Sequence, residues 1–206
     1  MAAHDVEAGP KKLIAGATLL LEDESGFTLT PFVAKTWSPV SETPTLVHSF
    51  GPWEKLSAIS GIAVRLRDGR LEAALYFRLL PGVAVRNGHV ADFLRQVGRH
   101  RKGKVIVLWD NAGQHRGPAL RSFFEAHGRF EAVPLPPYCP ELNPDEDVWG
   151  WVKKDLANLC ALDDEDLRRR VRASLGRIQR SPGLVEACLG GSELSWRGLL
   201  TQPEAG

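Results

Sequence analysis

Long apolar runs are missing from this chain. The most hydrophobic stretch, Leu13–Leu21, is interrupted by Gly16 and Thr18 and falls far short of the roughly 20 residues that a membrane-spanning helix needs. It follows Lys11 and Lys12, but Asp5 and Glu7 precede it and it runs into Glu22-Asp23-Glu24 without a small-residue cleavage site, so it does not read as an export signal. Cysteine is scarce: Cys139, Cys160 and Cys188 are widely spaced with no C-x-x-C pair, which supports neither a disulfide framework nor a structural zinc site. A reducing cytoplasm suits them. An excess of one charge is also missing, because 26 Lys and Arg stand against 25 Asp and Glu for a net +1. Only the distribution of charge can then point to a nucleic-acid partner. Repeats and low-complexity tracts are absent.

What is present is an ordinary globular composition, 43% hydrophobic and 25% charged over 206 residues, enough for one domain with its own core. The domain is expected over residues 12–190, between a loose N-terminus at 1–11 and a tail at 191–206. Ala17–Glu22, Phe27–Ala34, Leu56–Arg65 and Arg70–Phe77 are strand-like, and Asp68-Gly69 reads as a hairpin turn. After Pro81-Gly82 the period changes, with Val90, Phe93, Leu94 and Val97 at helical spacing. Val105–Trp109 is a buried-strand run ending at Asp110, Pro118–His127 reads as a helix, and Phe130–Leu135 returns as a strand. Asn143-Pro144 is an N-cap signal before a Val148, Val152, Leu156, Leu159 stripe, and Asp163–Arg180 is a further helix with Leu167, Val171, Leu175 and Ile178 facing inward. Antiparallel strands followed by alternating helices and strands predict an α/β fold, a mixed β-sheet flanked by helices.

Three acids sit at comparable places: Asp23 past the first strand, Asp110 at the end of the central strand, and Glu146 in the first turn of a helix. Carboxyl ends of neighbouring strands lie together, so residues far apart in sequence can converge on one crevice. Clustered carboxylates suit Mg²⁺ or Mn²⁺, and two such ions can activate a nucleophile and stabilise a leaving oxygen at a phosphodiester. Each acid also has a structural reading. Glu22-Asp23-Glu24 fits a solvated strand end, Asp110-Asn111 fits an Asx-turn, and Glu146 stands where a capping-box acid on Asn143 belongs. Spacing alone leaves both open.

The segments VIVLWDNAGQH (Val105–His115) and LPPYCPELNPDEDVWGWVKK (Leu135–Lys154) closely resemble the catalytic core of DDE transposases of the mariner superfamily, in particular those of bacterial insertion sequences. The matching positions are Asp110, Asn111 and His115, then Leu135, Pro136, Tyr138, Pro140, Leu142-Asn143-Pro144, Glu146, Trp149 and Lys153. LLLEDESGF (Leu19–Phe27) resembles the family's first strand and selects Asp23 over Glu22 and Glu24. Lys35-Thr36-Trp37-Ser38-Pro39 with Thr43-Pro44 resembles its basic-Thr-Trp segment, without the glycine that usually precedes the Thr-Pro.

The resemblance implies a ribonuclease-H-like fold in which Asp23, Asp110 and Glu146 bind two Mg²⁺ or Mn²⁺ ions, for cleavage at the ends of an insertion sequence and strand transfer into target DNA. Asn111 is expected behind the ligands, and His115 either behind them or against the scissile phosphate, with a loop-bonding histidine as the alternative for His115. DNA contacts are expected from Lys35, Trp37, Arg101, Lys102, Lys104, Lys153 and Lys154. The arginines of Asp163–Arg180 read more readily as a solvated face, and Trp149 reads as base-stacking or core. Members of this family usually carry helix-turn-helix modules ahead of the catalytic domain. About a dozen residues precede the first strand here, so the expectation is a separate helix-turn-helix polypeptide and a homodimer on paired ends, in the bacterial cytoplasm. The competing expectation is a catalytically inactive remnant, a nucleic-acid-binding module on the same fold.

Overall fold

The computed structural model describes residues 16–43, 45, 55–137 and 139–192. The expected loose N-terminus, Pro44, Tyr138 and nearly all of the expected tail lie outside them. Five strands form one sheet: β1 (Thr18–Phe27), β2 (Leu56–Arg67), β3 (Arg70–Pro81), β4 (Val105–Trp109) and β5 (Phe130–Pro134), in the order β3-β2-β1-β4-β5. β1, β2 and β3 are antiparallel neighbours, whereas β4 and β5 run parallel to β1. The β2–β3 hairpin turns at Asp68 and Gly69, with φ of 50° and 72°, the two left-handed residues that such a turn requires.

Among the described residues, five α-helices cover the sheet: α1 (Asn87–His100), α2 (Pro118–Ala126), α3 (Asp145–Asp155), α4 (Asp164–Gln179) and α5 (Pro182–Gly191). Alternation along each strand sends residues to opposite faces. Leu20, Val105 and Val107 pack with Val90, Phe93 and Leu94 of α1 and Phe123 of α2. Leu19, Leu21, Ile106 and Leu108 pack with Val148 and Val152 of α3, Val171 and Leu175 of α4 and Val185 of α5. The predicted stripe on α4 is buried throughout, and Asp163 caps that helix by accepting from the Asp166 N–H at 2.7 Å.

The structure corrects four details. β1 does not stop at Glu22 but runs to Phe27, because β2 pairs with it as far as Phe27↔Leu56, so Asp23 is inside the strand. Residues 28–34 are not a strand: past Phe27 no β2 partner remains, and they are held by a single bridge from Phe32 to Ala157 and by Asn158, whose side-chain amide bonds the N–H and C=O of Ala34 at 3.0 Å each. α3 ends at Asp155, which leaves Leu159 exposed beyond the stripe. α5 is an element that the sequence reading did not separate.

Candidate active site

Pairing of β1 with β4 in the register Leu21↔Leu108 places Asp23 and Asp110, each two residues further on, side by side on the α3 side of the sheet. Glu146 enters from the first turn of α3. The three acids line one cleft of about 400 Å³, together with Asn111, Asn143 and the Leu135–Pro137 turn. Among the described residues, no lysine, arginine or histidine lines it. The Asp23 carboxyl is pushed up to about 7, first by burial and then by the charge of Glu146, with smaller contributions from Glu24 and Asp110. Three hard oxygen donors, of which Asp110 alone has a basic side chain beside it, His115 at 3.0 Å, are a donor set that fits a divalent metal.

The structural readings of these acids are partly realised. Asp110 does make an Asx-turn, its Oδ1 accepting from the Ala112 N–H at 2.8 Å, yet it is exposed and faces the cleft. The capping box is not formed. Asn143 Oδ1 instead accepts from the Asp145 N–H at 3.2 Å while Asn143 Nδ2 donates to the Glu22 carbonyl at 3.2 Å. This ties the start of α3 to β1 and leaves the Glu146 carboxylate facing the cleft.

Behind the cleft lies Asp145, which the sequence analysis did not single out. It is fully buried, receives the Ser60 hydroxyl at 2.5 Å, and its Oδ1 has no hydrogen-bond partner. Burial holds its carboxyl well above the usual range. A raised carboxyl stabilises the fold fully below the unfolded value and loses that contribution as pH rises through the folded one. Asp145→Asn, which keeps the uncharged shape, is therefore expected to match wild type in urea unfolding only below the unfolded value of 3.8, and to be increasingly the more stable protein as pH rises above it.

His115 sits on the other side of the sheet. Its ring stacks on Trp109 at 4.5 Å and 5°, and Nδ1 lies 2.9 Å from the Asp110 carbonyl and 3.0 Å from its Oδ1. Nε2 lies 3.1 Å from Glu22 Oε2 and 3.2 Å from Glu24 Oε1. Burial opposes charge on the ring, but the two glutamates outweigh it and raise the imidazole to about 11. Burial pushes Glu22 up to about 8, against the pull of His115. Asn111 reaches the Leu135 carbonyl at 3.4 Å.

The expected DNA-contacting residues are not gathered at the cleft. Arg101, Lys102 and Lys104 precede β4, at the end of that strand opposite Asp110, and Lys104 pairs with Glu131 at 2.8 Å. Lys153 and Lys154 stand exposed in the last turn of α3. Lys35 and Trp37 are exposed, Trp37 completely. Trp149 is core, 1% exposed and edge-on to Phe27. On α4, Arg168 pairs with Glu165, Arg169 and Arg170 with Asp166, and Arg177 with Asp155, as on a solvated face.

Comparison with known families decides the relationship. The profile of DDE superfamily endonucleases matches residues 18–168, which include all three cleft acids. The chain belongs to the DDE superfamily of endonucleases. Among solved structures, the Mos1 transposase paired-end complex with left transposon end has a TM-score of 0.62 at 17% identity, covering 96% of this chain and 59% of that one. The Mos1 mariner paired-end complex with Mn has a TM-score of 0.51 at 18% identity over 91% of this chain and 60% of that one. The fold is thus the ribonuclease-H-like fold of that transposase. The uncharacterized protein y4pE/y4sA of Sinorhizobium fredii is 30% identical over 97 residues, which are 46% of this chain and 66% of that protein. The DDE chain described here therefore spans about three fifths of the Mos1 chains it matches. None of its described helices is long and apolar enough to cross a membrane.

Proposed function

We propose that this DDE domain cuts DNA at the ends of an insertion sequence and joins the cut ends to a target, with Asp23, Asp110 and Glu146 holding two Mg²⁺ or Mn²⁺ ions. The observation that carries this reading is the convergence of those three acids on one cleft. Bound metal supplies Lewis-acid activation of the attacking hydroxyl and charge neutralisation at the leaving oxygen. The chain's own residues supply the frame. β1 and β4 fix Asp23 and Asp110 side by side, Asn143 fixes α3 and hence Glu146 against β1, and Asn111 ties the turn after β4 to the end of β5. Lys153, Lys154, Lys35 and Trp37, exposed outside the cleft, are proposed to hold DNA. A helix-turn-helix polypeptide that reads the ends, and pairing of two such chains on paired ends, belong to the same proposal; the Mos1 complexes named above are paired-end complexes.

The test is calorimetric titration of the chain with Mn²⁺ beside Asp110→Asn and Glu146→Gln, with circular dichroism as the check on folding. Weakened binding in both variants is the expected result. Equal binding by all three proteins would overturn the assignment. Because Asp23 holds a proton up to about pH 7, Mn²⁺ must displace it at lower pH, and affinity is expected to rise roughly tenfold between pH 6 and pH 8. An affinity independent of pH over that range would place the ion elsewhere.

A further inference from the structure

The face of β1 opposite the cleft carries a second set of donor atoms. One carboxylate oxygen each from Glu22 and Glu24 and one ring nitrogen of His115 lie within 4.8 Å of one another. Glu22 is wholly buried, and neither of its oxygens accepts a hydrogen bond. The one N–H that His115 Nε2 can carry is aligned on Glu24 Oε1, although Glu22 Oε2 is as near. A wholly buried carboxyl whose facing imidazole is aligned on another acceptor is a costly arrangement, and a metal ion between the three groups would bind both glutamates where one N–H serves only one of them.

The surroundings are those of a metal ligand set. A coordinated histidine usually donates its other ring N–H to a carbonyl or carboxylate, and His115 Nδ1 meets the Asp110 carbonyl at 2.9 Å while Trp109 holds the ring plane. Glu24 is oriented too, its second oxygen accepting from Gln114 Nε2 at 2.9 Å. Nε2 lies 3.1 and 3.2 Å from the two carboxylates, near enough for small side-chain shifts to bring all three donors onto one ion with bonds of about 2.1 Å. A route from solvent exists as well: Glu24 and Gln114 line a separate cleft of about 220 Å³ together with Ser25 and Ser57. One imidazole nitrogen with two carboxylates favours a borderline transition ion over Mg²⁺, which prefers oxygen and gives up its water reluctantly.

We propose that Glu22, Glu24 and His115 form a second divalent-metal site, for an ion of the Zn²⁺ or Mn²⁺ class, on the face of β1 opposite the Asp23 cleft. The site stands on its own residues and does not depend on the reading of that cleft. Metal at Nε2 replaces the proton there, so binding releases a proton. It ties β1 to the turn after β4 through the contact of His115 with Asp110.

The test uses the full chain with the cleft disabled by Asp23→Asn and Glu146→Gln, Mn²⁺ as the probe, and electron spin echo modulation to detect nitrogen bound to the ion. The expected result is Mn²⁺ that remains bound with a ¹⁴N signature, is displaced by Zn²⁺ but not by Mg²⁺, and loses that signature in His115→Gln. Gln114→Ala, which leaves all three ligands and the core in place, is expected to weaken this binding by roughly 10- to 100-fold. A folded, cleft-disabled protein without nitrogen-coupled Mn²⁺ would overturn the proposal and make His115 an imidazolium held between two glutamates. Mn²⁺ with oxygen ligands only, present in wild type and lost in the cleft-disabled variant, reports on the cleft alone, so the two readings fail separately.

Discussion

Asp110→Asn is expected to lower Mn²⁺-dependent nicking of duplex DNA by at least ~10³-fold while the fold persists, because metal at a phosphoryl centre contributes several kcal/mol and each 1.4 kcal/mol is tenfold in rate. The fold should survive because Asp110 lies just past β4, exposed, outside both apolar clusters. Asparagine keeps the side-chain oxygen that accepts from the Ala112 N–H, so the turn is retained and only charge is lost. The measurement is gel-resolved nicking with wild type and variant at equal Mn²⁺, with circular dichroism on both. Undiminished nicking by Asp110→Asn would remove the residue from the catalytic machinery, whatever it contributes to the turn.

Much of this architecture was legible because it rests on local rules. Val105–Trp109 is a strand with the expected limits, and the stripe Leu167, Val171, Leu175, Ile178 is buried as the helical period requires. The adjacency of Asp23 and Asp110 follows from a parallel β1–β4 register, which sequence alone could only suggest through the carboxyl ends of neighbouring strands. What stayed illegible depends on partners distant in sequence. Acids at Glu22, Asp23 and Glu24 look like the end of a strand, yet β1 continues through them because β2 pairs with it, and His115 meets Glu24 across 91 positions. Asp145 was indistinguishable from its neighbours in an acidic first turn. Its burial follows from Ser60, 85 positions away, which faces it from β2. The basic residues illustrate the opposite case: Arg101, Lys102 and Lys104 come before β4 and Asp110 after it. With a rise of about 3.3 Å per residue, chain direction already separates them from the cleft.

The largest loss of stability is expected at Trp149, where the alternatives of base-stacking and core lead to different measurements. Its ring is edge-on to Phe27 at 6.0 Å, and Phe27 is edge-on to Phe32 at 6.3 Å, so one aromatic chain joins α3, β1 and the segment after it. Truncation there opens a cavity, and Trp149→Ala is expected to cost about 3–5 kcal/mol in urea unfolding. Trp149→Phe should cost much less, because the indole N–H is buried without a partner and removing an unsatisfied donor offsets part of the lost packing. Glu146 lies in the first turn of α3, the helix that Trp149 anchors, so Mn²⁺ affinity should fall in the alanine variant and be retained in the phenylalanine one. Equal stability of wild type and Trp149→Ala, with DNA affinity lost, would move Trp149 from the core to the nucleic-acid surface. The packing against Phe27 predicts the reverse: a marginal protein whose remaining folded fraction binds DNA as before.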